Sequence, residues 1–330
     1  MGVIGLGQMG ILHAAMSNSL EGNHVVAISD SDNFLTKLAK KAIPKFKFYP
    51  DYHLMLESED IDALYLCTPS QTHYSITRDI LRNYRGVSLF VEKPLALNGQ
   101  EASVLASDAR NLDAITMVGY QKRFAGVFQK TKELLDADIL GEPAYLRAHS
   151  FGSNVLREER GWKFQKGSGG VTLEYGVHLL DLLIWFFGEP LSANSTFKSL
   201  FSSNVEDFVS SHVRFEKGLV GDIMISWSMR NYSIPEMLIE VHGKSGSLTV
   251  TEDTVSVVLE RGSDRAGMDA GVTQFNGVNL DYSVPFLIAS PENVLQEKAF
   301  LDSVKSKTQP LQNFESAARV NRFVDMILSS

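Results

Sequence analysis

Over the first 118 residues, short apolar runs alternate with segments whose apolar positions recur at helical spacing. Runs at 2–6, 24–29, 63–67, 88–91 and 115–119 read as strands, and 10–19, 32–41, 51–58, 72–83 and 98–111 as helices. Strands this short and this apolar belong to a parallel sheet of βαβ units covered on both faces. The second half changes character. A helix is predicted at 122–137, a strand at 144–151, a polar Gly-rich loop at 152–170 and a strong helix at 171–187. Strands follow near 191–200, 208–216, 219–228, 236–243, 246–251 and 254–260, with Lys217-Gly218 and Lys244-Ser245-Gly246 as hairpin turns. The stretch 261–290 carries no regular pattern, and helices near 292–307 and 313–328 close the chain. Residues 219–227 are almost continuously apolar, which predicts helices on one face of the second sheet and another subunit on the other. The pattern therefore predicts a doubly wound α/β domain over 1–120 and an α+β domain with a large, mostly antiparallel sheet over 121–330. The break falls near Gly119 to Phe124, and the last helices are free to pack back on the first domain.

A length of 330 residues fits two domains. Lysine and arginine total 31 against 39 aspartates and glutamates, a formal net charge of −8. That balance argues against a nucleic-acid partner, which needs a basic surface. With 44% hydrophobic and 21% charged residues the chain can bury large cores. Cys67 is the one cysteine, so no intramolecular disulfide forms and a cysteine zinc site is not expected. The most apolar stretch, 179–187, contains Asp181 and is too short to span a bilayer. The first basic residue is Lys37, which does not suit a signal peptide, and Leu6 departs from the myristoylation pattern. No membrane partner and a cytoplasmic location are expected.

Gly5-Leu6-Gly7-Gln8-Met9-Gly10 fits G-x-G-x-x-G. It follows a strand, opens a helix, and precedes a second strand ending at Asp30, 20 residues after Gly10, as a dinucleotide-binding Rossmann fingerprint requires. Gly5 would permit the tight turn, Gly7 the approach of a pyrophosphate, and Gly10 close packing of helix on strand. Asp30 would accept hydrogen bonds from the adenosine ribose and repel a 2′-phosphate, which favours NAD, with NADP as the alternative. Thr68-Pro69-Ser70-Gln71-Thr72-His73 and Glu92-Lys93-Pro94 each follow a predicted strand, where open α/β sheets bind ligands. In 171–187, Leu173, Val177, Leu180, Ile184 and Phe187 make a core stripe, and Glu174, His178 and Asp181 a polar stripe beside it. Ionisable groups on so apolar a helix need partners or a function. A structural histidine between two carboxylates would satisfy the same pattern. Glu174 and His178 could also ligate a metal, but no metal site is assigned.

Taken in order, these motifs resemble the glucose–fructose oxidoreductase and inositol dehydrogenase family of NAD(P)-dependent sugar and polyol dehydrogenases. Gly169-Gly170-Val171-Thr172-Leu173-Glu174-Tyr175-Gly176-Val177-His178-Leu179-Leu180-Asp181 is similar to its G-G-x-x-x-D-x-G-x-H-x-x-D segment. Gly119 to Phe124 and Val205-Glu206-Asp207 match further family elements. Ser70 stands where the family usually has Asn, and Glu174 where it has Asp. The resemblance implies hydride transfer between nicotinamide and a secondary alcohol or ketone of a sugar, inositol or sugar derivative, in a homodimer or homotetramer. It implies cofactor contacts from Gly5, Gly7, Gln8, Met9, Gly10, Asp30, Thr68, Pro69, Ser70, His73, Glu92 and Lys93. His178 would serve as general base, Lys93 would stabilise the developing alkoxide, and Glu174 would orient His178 or bind an adjacent hydroxyl. Arg123, Arg157, Trp162, Lys163, Tyr175 and Asp181, with Glu174, are candidates for the substrate pocket. The other readings are an NADPH-dependent reductase of a keto or unsaturated substrate, and a non-catalytic NAD(P) sensor of the same fold.

Overall fold

The early apolar runs form one parallel sheet in the computed structural model, which describes residues 1–43, 45–153, 161–280, 284–286 and 288–330. Its strands are β1 (Gly2–Ile4), β2 (Ala27–Ser29), β3 (Lys47–Tyr49), β4 (Ala63–Leu66), β5 (Ser88–Val91) and β6 (Thr116–Val118). They pair in the order β3-β2-β1-β4-β5-β6, every pairing parallel. All but β3 are buried throughout, because helices cover a doubly wound sheet on both sides. The helices Gln8–Ser19, Asn33–Ala42, Tyr52–Ser58, His73–Asn83 and Gly99–Asn111 connect the strands. Asp51 and Asn98 start two of them by accepting the backbone N–H of His53 and Glu101, each at 2.8 Å. β3 is a departure from the sequence reading. It is a half-exposed edge strand, so it lacks the apolar run that marks its neighbours.

By contact the chain forms two compact units, Met1–Gln121 with Val284–Asn321, and Lys122–Ser283 with Arg322–Ser330. In the first unit the helix Pro291–Ser306 packs on Gln8–Ser19.

The second unit holds an eight-stranded sheet. Its strands are β7 (Pro143–Phe151), β8 (Pro190–Lys198), β9 (Phe208–Phe215), β10 (Val220–Ser226), β11 (Glu236–Gly243), β12 (Gly246–Thr251), β13 (Thr254–Leu259) and β14 (Gly271–Asn276). The order is β14-β13-β12-β11-β7-β10-β9-β8, antiparallel except where β7 meets β10. The β9–β10 turn holds Lys217 and Gly218 at φ 59° and 83°, the left-handed pair of a tight hairpin. One face is core, with Val213, Ile223, Ile239, Val250 and Val257 buried. The helices Gly126–Asp136 and Val177–Phe187 contact the sheet. On the other face polar and charged pairs link neighbouring strands: His212 with Asp222 at 2.9 Å, and Arg147 with Glu240 at 2.6 Å. Burial along β10 thus alternates, where the sequence suggested a continuously apolar strand. β14, in the stretch read as irregular, is an exposed edge strand with little apolar signal. Among the described residues no helix is long and apolar enough to cross a membrane.

Candidate active site

In the first unit, four motif loops follow the carboxyl ends of β1, β2, β4 and β5, where a sheet whose order reverses between β1 and β4 opens a ligand crevice. Two glycines of the first loop are demanded by the fold. Gly5 has φ +103°, and a Cβ there would lie 2.6 Å from the Cys67 carbonyl oxygen. A Cβ at Gly10 would lie 1.9 Å from the Gly5 oxygen. Gly7 differs: the nearest atom to an added Cβ is the Cys67 oxygen at 4.0 Å. The protein itself does not require glycine at that point, so the open cradle suits a group bound there. No side chain caps the first turn of Gln8–Ser19 and no acidic residue lies in it, which leaves N–H groups and a positive helix end for an anion. Gln8 is exposed and Met9 half-buried. Asp30 is already oriented: its Oδ2 accepts the Leu6 N–H at 2.6 Å and its Oδ1 the Asp32 N–H at 2.8 Å. These features fit a dinucleotide.

The second and third loops are bound to each other. Pro69 precedes the short turn Ser70–Thr72, and the Thr68 and Thr72 hydroxyls lie 2.7 Å apart. Ser70 is buried. His73 is 1% exposed, with Nδ1 2.7 Å from the Pro94 oxygen and Nε2 2.9 Å from the Thr68 oxygen. Burial lowers the pKa of this imidazole. The neutral ring therefore carries one N–H between two carbonyls, and it faces backbone rather than a ligand. Glu92 is similarly engaged. Its Oε1 lies 3.0 Å from His13 Nε2, and its Oε2 accepts the Lys93 N–H at 3.1 Å. Burial raises the Glu92 carboxyl's pKa, but His13 outweighs that and holds it low. Lys93 itself is half-buried. His73 and Glu92, expected among the cofactor ligands, thus hold backbone and His13 instead. The sequence signal for His13 is a histidine three residues past Gly10, on the buried side of the helix.

In the second unit the expected α-helix over 171–187 is two structures. Thr172–Gly176 is a π-helical segment and only Val177–Phe187 is α-helical. The wider turn shifts the phase, so the 174–178–181 spacing no longer marks a single α-helical stripe. Glu174 is buried, and its N–H donates to the Gly170 oxygen at 3.0 Å. Glu206 holds the start of the segment. Its carbonyl accepts the Val171 N–H and its Oε1 the Thr172 N–H, each at 3.1 Å. Its carboxyl is so close to Gly170 (φ +114°) that a Cβ there would meet Oε2 at 2.4 Å. Burial raises the Glu206 pKa.

His178 is half-buried on the first α-helical turn. Asp181, one turn on, pairs with Arg123: Nε to Oδ2 at 2.8 Å and Nη2 to Oδ1 at 2.6 Å, with both side chains buried. The guanidinium also lies 5.6 Å from the Trp185 ring centre. Burial raises the Asp181 pKa, with Arg123 opposing. These two substrate candidates are thus held by each other. Tyr175 donates to the Phe151 oxygen at 3.0 Å, and burial pushes its phenol up to about 12. Trp162 is half-buried and Lys163 exposed in the turn Trp162–Phe164, and the Lys163 carbonyl accepts the Gly170 N–H at 3.0 Å. Arg157 lies outside the described residues.

Residues 1–120 match the family model described as an oxidoreductase family, NAD-binding Rossmann fold, and residues 128–249 that of the GFO/IDH/MocA C-terminal domain. Myo-inositol 2-dehydrogenase of Thermotoga maritima is 27% identical over 320 residues, 94% of this chain and 89% of that protein. The scyllo-inositol 2-dehydrogenase (NAD(+)) of Bacillus subtilis is 26% identical, over 79% of this chain and 77% of its own. Among solved structures, levoglucosan dehydrogenase in complex with NADH superposes with a TM-score of 0.86 at 20% identity, covering 100% of this chain and 95% of that one, a likeness of fold.

Proposed function

Because the chain belongs to the glucose–fructose oxidoreductase and inositol dehydrogenase family, with an NAD-binding Rossmann domain, we propose that it transfers a hydride between NAD and a secondary alcohol or ketone of a sugar, inositol or sugar derivative. The observation that carries this reading is the open cradle at Gly7 among four motif loops at the carboxyl ends of one parallel sheet. Bound NAD supplies the hydride acceptor. The N–H groups opening Gln8–Ser19 take its pyrophosphate, and the Asp30 carboxylate takes the ribose hydroxyls and disfavours a 2′-phosphate. In this reading residues 1–120 serve the cofactor, and 121–330 the substrate and self-association as a dimer or tetramer.

Three side chains manage the proton. The His178 imidazole takes it from the substrate hydroxyl, a task for which histidine is the usual side chain. The Lys93 ammonium stabilises the oxygen as it becomes an alkoxide. The Glu174 carboxylate orients His178 or binds a neighbouring hydroxyl. Trp162, Lys163 and Tyr175 remain candidates for recognising the sugar. Arg123 and Asp181 support the helix that bears His178, because neither charge is open to a ligand while they hold each other.

A screen of sugars and polyols with NAD and NADP, read by nicotinamide absorbance, tests the proposal. The expected result is reduction of NAD by a polyol or sugar, with turnover falling about 100-fold or more in Lys93→Ala and in His178→Ala while NAD still binds. Wild-type turnover in either variant removes that residue from the mechanism. Tight NAD binding without turnover across the panel favours a sensor.

A further inference from the structure

The first unit buries a group of ionisable side chains, with His13 and Glu297 fully enclosed and Glu92 nearly so. His13 is 0% exposed. Its Nδ1 lies 2.8 Å from Glu297 Oε2, and its Nε2 3.0 Å from Glu92 Oε1. Ser17 donates to the other Glu297 oxygen. Tyr65 and Phe90 close over the imidazole, with ring centres 5.1 and 4.7 Å away. Two carboxylates in an apolar core are costly, and apolar residues of similar volume would often serve stability as well. What these groups have in common is what they hold. Glu92 immediately precedes Lys93 and also accepts its N–H. On the other side, His73 reaches the carbonyl of Pro94, which immediately follows Lys93, and that of Thr68.

We propose that His13 and His73 are positioning residues that clamp the backbone on both sides of Lys93, one through the Glu92 carboxylate and the other through the Pro94 carbonyl. This rests on the role given to Lys93 above. The clamp has an anchor at each end: His13 ties residue 92 to the helix Gln8–Ser19 and, through Glu297, to the helix Pro291–Ser306. His73, the first residue of the helix His73–Asn83, ties residue 94 to that helix when its single N–H is on Nδ1. A lysine side chain is long and flexible, so its ammonium can be placed precisely only if its backbone does not move. A displacement of about 1 Å at a reacting centre costs roughly 100-fold in rate.

The experiment compares wild type with His13→Leu, His73→Phe and the isosteric Glu297→Gln. It reads kcat, NAD affinity, and acetylation of Lys93 by acetic anhydride in the cofactor-free protein relative to exposed Lys217. In His13→Leu and His73→Phe, kcat is expected to fall about 10- to 100-fold while NAD affinity changes less than about threefold, and Lys93 labelling rises severalfold against Lys217. Glu297→Gln keeps the shape and part of the hydrogen bonding, so it should give the same split at smaller size. It decides the matter if the histidine variants do not fold. Unchanged kcat and labelling would overturn the clamp, as would kcat and NAD affinity falling together with labelling unmoved. Should Lys93→Ala prove fully active, the mechanistic reading fails while the labelling still reports on the clamp.

Discussion

Lys93 and His178 stand on different kinds of support. Lys93 lies in a loop at the end of a buried parallel strand, held by hydrogen bonds to its two sequence neighbours from imidazoles that ligands do not reach. His178 stands on the first turn of an α-helix that continues a π-helical segment, whose start is held by Glu206 and whose next turn is held by the Arg123–Asp181 pair. The first arrangement follows from topology: every strand of the sheet ends at the same rim, so motif residues after successive strands are gathered there. The second depends on tertiary contacts over tens of residues that adjust a helix's start. A loop lysine therefore needs local clamps, whereas a helical histidine needs the helix end to be fixed.

Substitutions can break this contrast, and the largest effect is expected at the buried ion pair. Asp181→Ala leaves the Arg123 guanidinium buried without its carboxylate and should lower unfolding free energy by about 3–5 kcal/mol in urea titration. Replacing both by Met and Leu should restore most of it. A single variant as stable as wild type would show that the pair does not hold the helix.

Next come Gly10 and Gly7 of the first loop. Gly10→Ala forces a Cβ onto the Gly5 oxygen and should destabilise by about 1–3 kcal/mol and remove NAD binding. Gly7→Ala should change stability by less than about 0.5 kcal/mol while weakening NAD at least about tenfold, since that Cβ meets no protein atom nearer than the Cys67 oxygen at 4.0 Å. Equal stability losses in the two, by thermal melting, would contradict the cradle.

Glu206→Ala removes a hydrogen bond to the start of the π segment, a loss of about 1 kcal/mol by analogy with a helix cap. Turnover should fall more than NAD affinity does, because the change lies in the second unit. Loss of NAD affinity alone would invert the comparison.

The last effect is one of pH. Burial pushes the His13 imidazole down, but Glu297 and Glu92 outweigh it and raise it to about 10. A folded pKa above the unfolded one means stabilisation that is full below pH 6.5 and declines as pH rises through about 10. Urea midpoints should fall over that window in wild type and less in His13→Leu. Parallel curves would show that the imidazole is not cationic in the fold.

Legibility in the sequence follows the same contrast. Gly5 to Gly10, Asp30, the loop after β4 and Lys93 could be placed because a buried parallel strand is an apolar run and its motif is adjacent in sequence. β3 and β14 escaped notice because edge strands are exposed and carry little apolar signal. The π segment escaped because its composition is that of an α-helix; its form comes from what holds its ends. The pairing of Arg123 with Asp181 spans 58 positions and that of His13 with Glu297 spans 284, and spacing within one segment says nothing of such partners. His73 and Glu92 were recognised as motif residues, but their side chains' partners were visible only in three dimensions.

The central claim, hydride transfer from a sugar or polyol carbon to NAD, is most directly tested with an active substrate deuterated at the reacting carbon. Mass spectrometry of the product nicotinamide cofactor should show one deuterium per turnover in the wild-type protein. Reduced cofactor without deuterium, or consumption of substrate with no reduced cofactor, would contradict the account.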